Sequence, residues 1–390
     1  MKKSINVIFI GAFLYPNGYA ATKRKQQFLD YIIAQGDFAR VLITMKLSQG
    51  HEFNDLKGIH NSVPYEVLGA NVKPDILFPI TILTFYGKSI SRLIKYKKRD
   101  AKNIIVAFGI NFDTILPLFF AKLIGYKIVF DIVEDFSTVT GEGKGKRLKY
   151  WILRTFPKYF IKYIASGISV ISSYLQKKYS DRIVNIPICI IPVSAANLFL
   201  ELNKKQNNDF SLVYSGTYGQ KEGLPILAEG FKKFSAFISN TKLILTGNCP
   251  DNVKNMFLGK LGNFENVLFT GRLNDDDYYR TLNNADVLLM TRNNSVYANA
   301  GFPYKLGEYL ATGNPVIATR VSDVEIYLKD KVSVFIINPD DVNDLYSALV
   351  NIYQNRKFAR EVGLRGKDVC KQYFNPEINS KSFYTLLQKS

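Results

Sequence analysis

The segment from Ala298 to Ile317 contains the residues whose types and spacing best suit ligand binding. Its pattern predicts a loop, a helix that begins at Pro303, a left-handed stop at Gly313 and a short apolar strand. Within that helix Glu308 lies off the apolar stripe and on the same side as Tyr304, so packing in the core does not explain its presence. The alternative is a solvated surface glutamate that pairs with Lys305.

The pattern Phe-Pro-x-Lys-x-x-Glu-Tyr-x-x-x-Gly-x-Pro-Val, which begins at Phe302, resembles the nucleotide-sugar site of the retaining glycosyltransferases usually called family four. Their GT-B fold has two Rossmann-like domains that face each other across a cleft. The resemblance implies that Glu308 accepts hydrogen bonds from the donor's ribose, because a carboxylate offers two oxygens to a cis-diol. It also places Phe302, Pro303 and Tyr304 at the donor. Family members often carry a second glutamate about two helical turns earlier, where this chain has Ala300.

A second strand, glycine-rich loop and helix surround Lys221. The resemblance identifies Lys221 as the lysine that binds the donor diphosphate. A cation there offsets the charge that develops on the leaving diphosphate, and the N–H groups of the Gly216 loop add fixed dipoles. Thr217 stands where the family often has an arginine. Gly271 and Arg272 match a later turn that lies near the nucleotide base of the donor in that family. The alternative for Lys221 is an ordinary surface lysine. Arg272 could contact a phosphate or the base, or it could be an ordinary surface arginine.

Two further groups of candidate residues follow predicted strands in the first half of the chain. Gly18 lies in a loop that, in the resembling family, approaches the donor diphosphate and the acceptor. This loop lacks the Gly-x-Gly-x-x-Gly pattern, which argues against a nicotinamide or flavin enzyme. Glu134 and Asp135 follow another strand, and because ligands bind at the carboxyl ends of parallel strands, either could orient the acceptor hydroxyl. The alternatives are an ordinary turn at Gly18 and a helix cap or solvated loop at the two carboxylates.

The elements that position these residues alternate along the chain. Short apolar runs and amphipathic stretches take turns, which predicts an α/β protein with parallel sheets and helices on both faces. A chain of 390 residues is too long for one core, so we expect two Rossmann-like domains. The predicted parts are an acceptor-binding domain over residues 1–200, a donor-binding domain over 201–372 and a C-terminal helix over 373–390 that packs back on the first domain.

The net charge of +18 predicts anionic partners such as phosphate-bearing substrates or an acidic membrane surface. Residues 144–163 combine aromatic residues at helical spacing with basic ones, and such a helix can lie on an anionic bilayer or pack its aromatic face on the core. Nucleic acid is not an expected partner, since no recognised binding motif accompanies the charge. No apolar run is long enough to span a membrane.

Cysteine and histidine usage restricts the chemistry and the compartment. The three cysteines have no metal-ligand spacing and the two histidines have no metal or triad context. We therefore expect a reduced, cytoplasmic protein without a metal site or a cofactor. The apolar start of the chain is interpreted as a buried strand rather than a signal peptide, because turn residues follow it and no cleavage site is evident.

Together with these observations, the resemblance implies a metal-independent glycosyltransferase of hexosyl or related groups that works with retention. Its donor would be a nucleotide sugar such as a UDP- or GDP-sugar, and its acceptor a lipid-linked glycan at the inner face of the cell membrane, in cell-surface polysaccharide or glycolipid synthesis. Three other functions stay open: an impaired relative that only binds nucleotide or glycan, a nucleotide-sugar epimerase of the same fold, and a basic nucleic-acid-binding protein.

Overall fold

The chain is described by a computed structural model over residues 4–18, 20–44, 56–69, 78–111, 113–135, 159–195, 209–262 and 266–390. It divides into two compact units. The first comprises Met1–Ile191 together with Glu377–Ser390, and the second comprises Pro192–Pro376. The predicted boundary between residues 200 and 201 falls outside the described residues and stays a prediction.

The first unit is built on a sheet whose strands follow the order β3-β4-β2-β1-β5-β6-β7-β8. All neighbouring strands are parallel except β3 and β4, which form an antiparallel pair. Its elements are β1 (Ile5–Gly11), α1 (Ala20–Ala34), β2 (Phe38–Ile43), β3 (Lys57–His60), β4 (Val63–Val67), α2 (Phe78–Tyr96), β5 (Lys102–Ala107), α3 (Ile115–Leu123), β6 (Lys127–Ile132), α4 (Ile161–Ile164), β7 (Ala165–Val170), α5 (Ser173–Ser180) and β8 (Ile188–Ile190).

The second unit has a parallel sheet in the order β11-β10-β9-β12-β13-β14. It alternates strands and helices, as the sequence predicted. Its elements are β9 (Phe210–Ser215), α6 (Leu224–Phe237), β10 (Thr241–Thr246), α7 (Asp251–Leu261), β11 (Val267–Gly271), α8 (Asp275–Asn284), β12 (Val287–Met290), α9 (Val296–Ala300), α10 (Tyr304–Thr312), β13 (Val316–Thr319), α11 (Val324–Tyr327), β14 (Phe335–Ile337), α12 (Val342–Gln354) and α13 (Arg356–Tyr373).

The last helix, α14 (Pro376–Lys389), returns to the first unit. The ring of Phe383 stacks on that of Phe28 with centroids 4.1 Å apart. The Nζ of Lys102 donates to the carbonyl oxygens of Leu387 and Gln388 at 3.1 and 2.9 Å. These contacts join the end of the chain to the core of the first unit, so the predicted return of the C-terminal helix is confirmed.

Two features of the first unit went beyond the sequence analysis. The β3–β4 hairpin was not predicted, and its turn places Asn61 and Ser62 at positive φ. Helix α2 was also not predicted, because Pro79 interrupts its apolar run; the proline lies in the first turn, where a missing N–H does no harm. No helix in the described ranges combines the length and apolarity needed to cross a membrane. Of the basic aromatic segment at 144–163, the part up to residue 158 lies outside the described residues.

Candidate functional site

Three glycine turns lie side by side at the carboxyl ends of β9, β10 and β11. The N–H of Gly247 donates to the carbonyl oxygen of Gly271 at 2.8 Å, and that of Gly216 donates to Thr246 at 3.2 Å. A Cβ at Gly247, where φ is +109°, would lie 2.2 Å from the carbonyl oxygen of Gly216. Glycine is therefore required there for the turns to pack closely. Together they form one polar edge of the sheet, at the end of the strands where ligands of such sheets bind.

Helix α10 presents a single narrow stripe that is not buried. Tyr304, Glu308 and Thr312 are partly exposed, whereas the intervening residues are buried. Their four-residue spacing places all three on one side of the helix. Glu308 thus lies off the apolar stripe and on the side of Tyr304, as its position in the sequence predicted. The helix ends at Gly313 in the predicted left-handed conformation, with φ of 73°.

The carboxylate of Glu308 is held by a residue that the sequence analysis did not identify. The hydroxyl of Tyr278, on α8, donates to Oε2 of Glu308 at 2.6 Å. Burial and the negative charge of Glu308 raise the pKa of Tyr278 well above its usual value, so the phenol stays protonated and remains a donor. Nothing in the local sequence marks Tyr278, because its partner lies 30 residues away.

Tyr309 joins α10 to the first glycine turn. Its hydroxyl accepts the N–H of Ser215 at 2.7 Å and lies 3.3 Å from the carbonyl oxygen of the same residue. Ser215 ends β9 and directly precedes Gly216. The helix that carries Glu308 is therefore fixed to the loop that leads to Lys221.

Lys305 is buried rather than solvated. Its Nζ donates to Oε2 of Glu222 at 2.6 Å and lies 4.0 Å from the centre of the Tyr214 ring. A Cβ at Gly216 would approach this Nζ to 3.0 Å, so the lysine lies directly against the glycine turn. The alternative in which Lys305 pairs with Glu308 is therefore wrong, because the partner of Lys305 is Glu222.

Arg292 completes a buried cluster with Glu222 and Lys305. Its Nε lies 3.8 Å from Oε1 of Glu222, and its Nε and Nη1 are buried without a hydrogen-bond partner among the described residues. Burial raises the pKa of Glu222, but the charges of Lys305 and Arg292 outweigh burial, so that pKa lies below its usual range. Burial lowers the pKa of Lys305 to about 8 despite the attraction of Glu222. Two cations thus share one carboxylate, and the cluster carries net positive charge near neutral pH.

Lys221 is half-buried in the loop before α6. Its Nζ lies 4.4 Å from the centre of the Tyr297 ring, and its carbonyl oxygen accepts the N–H of Asn293 at 3.1 Å. A Cβ at Gly223 would lie 1.9 Å from the carbonyl oxygen of Thr291. The loop is therefore packed tightly against the segment that follows β12, and only glycine fits at its end.

The remaining candidates of the second unit occupy different environments. Phe302 is 2% exposed, and its ring packs against the rings of Tyr327 and Phe374 at 5.6 and 5.5 Å, which makes it a core residue of this unit. Pro303 is the N-cap, since α10 begins one residue later than predicted. Thr217 and Arg272 are exposed.

Gly18, Glu134 and Asp135 belong to the first unit. A Cβ at Gly18 would lie 2.1 Å from Oγ1 of Thr22, so the absence of a side chain there is required by packing against α1. Glu134 is partly exposed after β6. Asp135 is buried and forms an ion pair with Lys178.

The sequence of the second unit matches a known family. Residues 209–355 match the family described as Glycosyl transferases group 1. An uncharacterized glycosyltransferase of Methanocaldococcus jannaschii is 23% identical over 219 residues, which cover 55% of this chain and 58% of that protein. The O-antigen chain mannosyltransferase C of Escherichia coli is 23% identical over 231 residues, covering 57% of this chain and 59% of that protein. The chain thus aligns with somewhat over half the length of these relatives.

The fold of the whole chain also has solved counterparts. The structure of Anabaena HepE in complex with UDP-glucose aligns with a TM-score of 0.72 at 16% identity, over 99% of this chain and 100% of that chain. At that identity the similarity establishes the fold. The chain therefore has the two Rossmann-like domains of the GT-B fold, and its residues 209–355 match the family described as Glycosyl transferases group 1.

Proposed function

We propose that this protein is a glycosyltransferase that moves a sugar from a nucleotide diphosphate to a hydroxyl of a glycan acceptor. The observation that carries the proposal is the position of Glu308. Its carboxylate is partly exposed, is oriented by Tyr278, and lies on a helix fixed to the Gly216 turn and the Lys221 loop. These residues lie within the segment that matches the glycosyltransferase family.

Charge around the Gly216 turn suits a diphosphate. The Arg292, Lys305 and Glu222 cluster carries net positive charge beneath the turn, and Lys221 adds a cation on the same loop. Fixed positive charge and backbone N–H groups stabilise a departing diphosphate without reorganisation. The UDP-glucose bound to HepE supports a nucleotide-sugar donor, and we propose a UDP- or GDP-sugar here.

We propose that transfer proceeds with retention and without a metal ion. The bond from the anomeric carbon to the diphosphate breaks, the bond to the acceptor oxygen forms on the same face, and the acceptor proton passes to the leaving phosphate. The protein then needs no nucleophile of its own. Its role is to hold the two substrates in contact and to stabilise the charge of the diphosphate.

The proposed acceptor is a lipid-linked glycan. The net charge of +18 suits a phosphate-linked lipid and an anionic membrane, and the O-antigen mannosyltransferase among the relatives supports a cell-surface glycan. Of the two carboxylates after β6, Glu134 is partly exposed whereas Asp135 is buried, so we propose that Glu134 orients the acceptor hydroxyl. The protein would then act at the inner face of the cell membrane.

Ribose recognition by Glu308 tests the donor site directly. Thermal shift and calorimetry would compare nucleoside diphosphates with their 2′-deoxy and 3′-deoxy analogues on the wild type, Glu308→Ala and the control Glu361→Ala, an exposed glutamate on α13. A ligand at a hundred times its Kd stabilises by about 2.7 kcal/mol. The wild type and the control should bind one ribonucleotide series and discriminate against the deoxy analogues, whereas Glu308→Ala should not discriminate.

Equal discrimination by Glu308→Ala would refute the assigned role of Glu308. Transfer is tested separately by product formation from the nucleotide sugar that binds. Nucleotide binding without transfer to any lipid-linked acceptor would favour the impaired relative, and conversion of one nucleotide sugar to another would favour the epimerase.

A further inference from the structure

A basic cavity opens at the amino-terminal edge of the sheet in the first unit, opposite to the carboxyl ends where its candidate residues lie. The cavity has a volume of about 820 Å³ and adjoins the first residues of β1, β5 and β6. Its wall includes Lys97, Lys98, Arg99, Lys102 and Lys127. None of the described residues that line it is acidic.

The acids Asp37 and Asp100 do not line this basic cavity. Asp37 accepts the N–H of Ile5 at 2.8 Å and the hydroxyl of Tyr384 at 2.5 Å, and Asp100 is exposed without lining the cavity. Burial, and then repulsion by Lys127, lowers the pKa of Lys102. Lys102 and Lys127 thus repel each other, and an anionic partner would relieve that repulsion.

Protruding aliphatic side chains accompany the cations. Ile94 lines the basic cavity and is 57% exposed, and Leu123, the last residue of α3, is 84% exposed. Leu123 lies two residues before Gly125, which also lines the cavity. The hydroxyl of Tyr126 donates to the carbonyl oxygen of Leu93 at 2.8 Å and so fixes this loop to the end of α2. Leucine and isoleucine are therefore held next to the lysines.

We propose that the basic cavity and its aliphatic rim, Ile94 and Leu123, form a docking surface for an anionic phospholipid bilayer. The lysines and the arginine bind lipid phosphates, while the two aliphatic side chains enter the boundary between head groups and acyl chains. A nucleic acid would satisfy the cations but would leave Ile94 and Leu123 in water, so the combination favours lipid. The inference locates on the first unit the membrane contact that the proposed function implies, and vesicle binding tests it without requiring transfer.

The test of the charges is flotation with vesicles of phosphatidylglycerol in phosphatidylcholine, compared with pure phosphatidylcholine. The exposed cations Lys97, Arg99 and Lys127 would be replaced together by glutamine. Each near-surface cation contributes about 1 kcal/mol, so the partition coefficient on anionic vesicles should fall on the order of 100-fold. The control replaces three exposed cations of the second unit by glutamine, namely Lys331, Lys357 and Arg360, and should bind like the wild type.

The test of the rim is Leu123→Ser, with Leu364→Ser on α13 as its control, since that leucine is 46% exposed. Loss of one aliphatic side chain from the interface should lower the partition coefficient about tenfold, whereas the control should not change it. The effect of Leu123→Ser should persist at high salt, where the contribution of the lysines is screened.

Three results would overturn the proposal. One is vesicle binding that neither the glutamine triple variant nor Leu123→Ser weakens, which would assign the contact to another surface. The second is binding to RNA or duplex DNA, but not to vesicles, that the triple variant abolishes. The third is no binding to anionic vesicles at all. Glu308→Ala should bind vesicles like the wild type, so failure of the donor site and failure of the docking surface give different results.

Discussion

Tyr278→Phe removes one oxygen atom and with it the hydrogen bond that the Tyr278 hydroxyl donates to Glu308. The hydrogen bond that is lost is 2.6 Å long and joins a protonated phenol to a carboxylate. Hydrogen bonds to charged groups contribute about 1.5–3 kcal/mol. Glu308 is partly exposed, so water compensates for part of the lost hydrogen bond. We expect the less well oriented carboxylate to cost about 1 kcal/mol of the binding free energy. The Kd for the nucleotide series that binds should therefore rise about fivefold.

Calorimetry on a double-mutant cycle and one control tests whether this effect acts through Glu308. The set comprises the wild type, Tyr278→Phe, Glu308→Gln and the double variant, with Tyr279→Phe as the matched control on the same helix. If the phenol serves only to orient the carboxylate, it has no further effect once Glu308 is changed, and the cycle should show a coupling energy of about 1 kcal/mol. Additive losses, or a loss in Tyr279→Phe equal to that in Tyr278→Phe, would refute the reasoning.

Three further predictions concern the stability of the second unit. Glu222→Gln leaves two buried cations without a carboxylate and should lower the free energy of unfolding by about 3–5 kcal/mol in urea titrations, whereas Glu229→Gln, at an exposed ion pair, should cost less than about 1 kcal/mol. The pKa of Lys305 is about 8 in the folded chain against an ordinary 10.5, so the folded chain binds fewer protons than the unfolded chain between these pH values. The stability of the wild type relative to Lys305→Met should therefore rise with pH from about 8 to 10.5. A difference that does not change with pH would contradict the burial of the Lys305 charge. Gly223→Ala drives a methyl group into a backbone carbonyl and should cost about 1–3 kcal/mol or more in thermal unfolding, whereas Gly219→Ala, with open space around its Cβ, should not.

The fold was predictable because, apart from the β3–β4 pair, the strands of both sheets are parallel and mostly buried. Strands of that kind consist of continuous apolar runs, and the run from Ile5 to Ile10 is buried along its full length in β1. Helix α2 was not predicted because Pro79 would disfavour the interior of a helix. In the structure Pro79 lies in the first turn, where proline is tolerated. The β3–β4 hairpin escaped because its residues carry little of the apolar alternation that identifies strands.

The candidate site was predictable only where helical periodicity determines the environment. The exposure of Glu308 follows from its angle on α10 relative to the leucines. The same reasoning left Lys305 undecided, because its environment depends on Glu222, which lies 83 residues away and meets it only when β9 and α10 pack together. Arg292 and Tyr278 have the same character: their importance comes from tertiary contacts that no short motif records.

The length of the parallel strands in the first unit fixes the distance between the basic cavity at their amino ends and Glu134 at their carboxyl ends. Strands β1, β5 and β6 run for seven, six and six residues, which at about 3.3 Å per residue separates their two ends by about 20 Å. If the basic cavity at their amino ends rests on lipid and the strands stand near the membrane normal, the Glu134 end is held that far from the head groups. A hydroxyl attached directly to a lipid phosphate would fall short, whereas one at the tip of an oligosaccharide would reach. Such a protein would lengthen chains that other enzymes have begun.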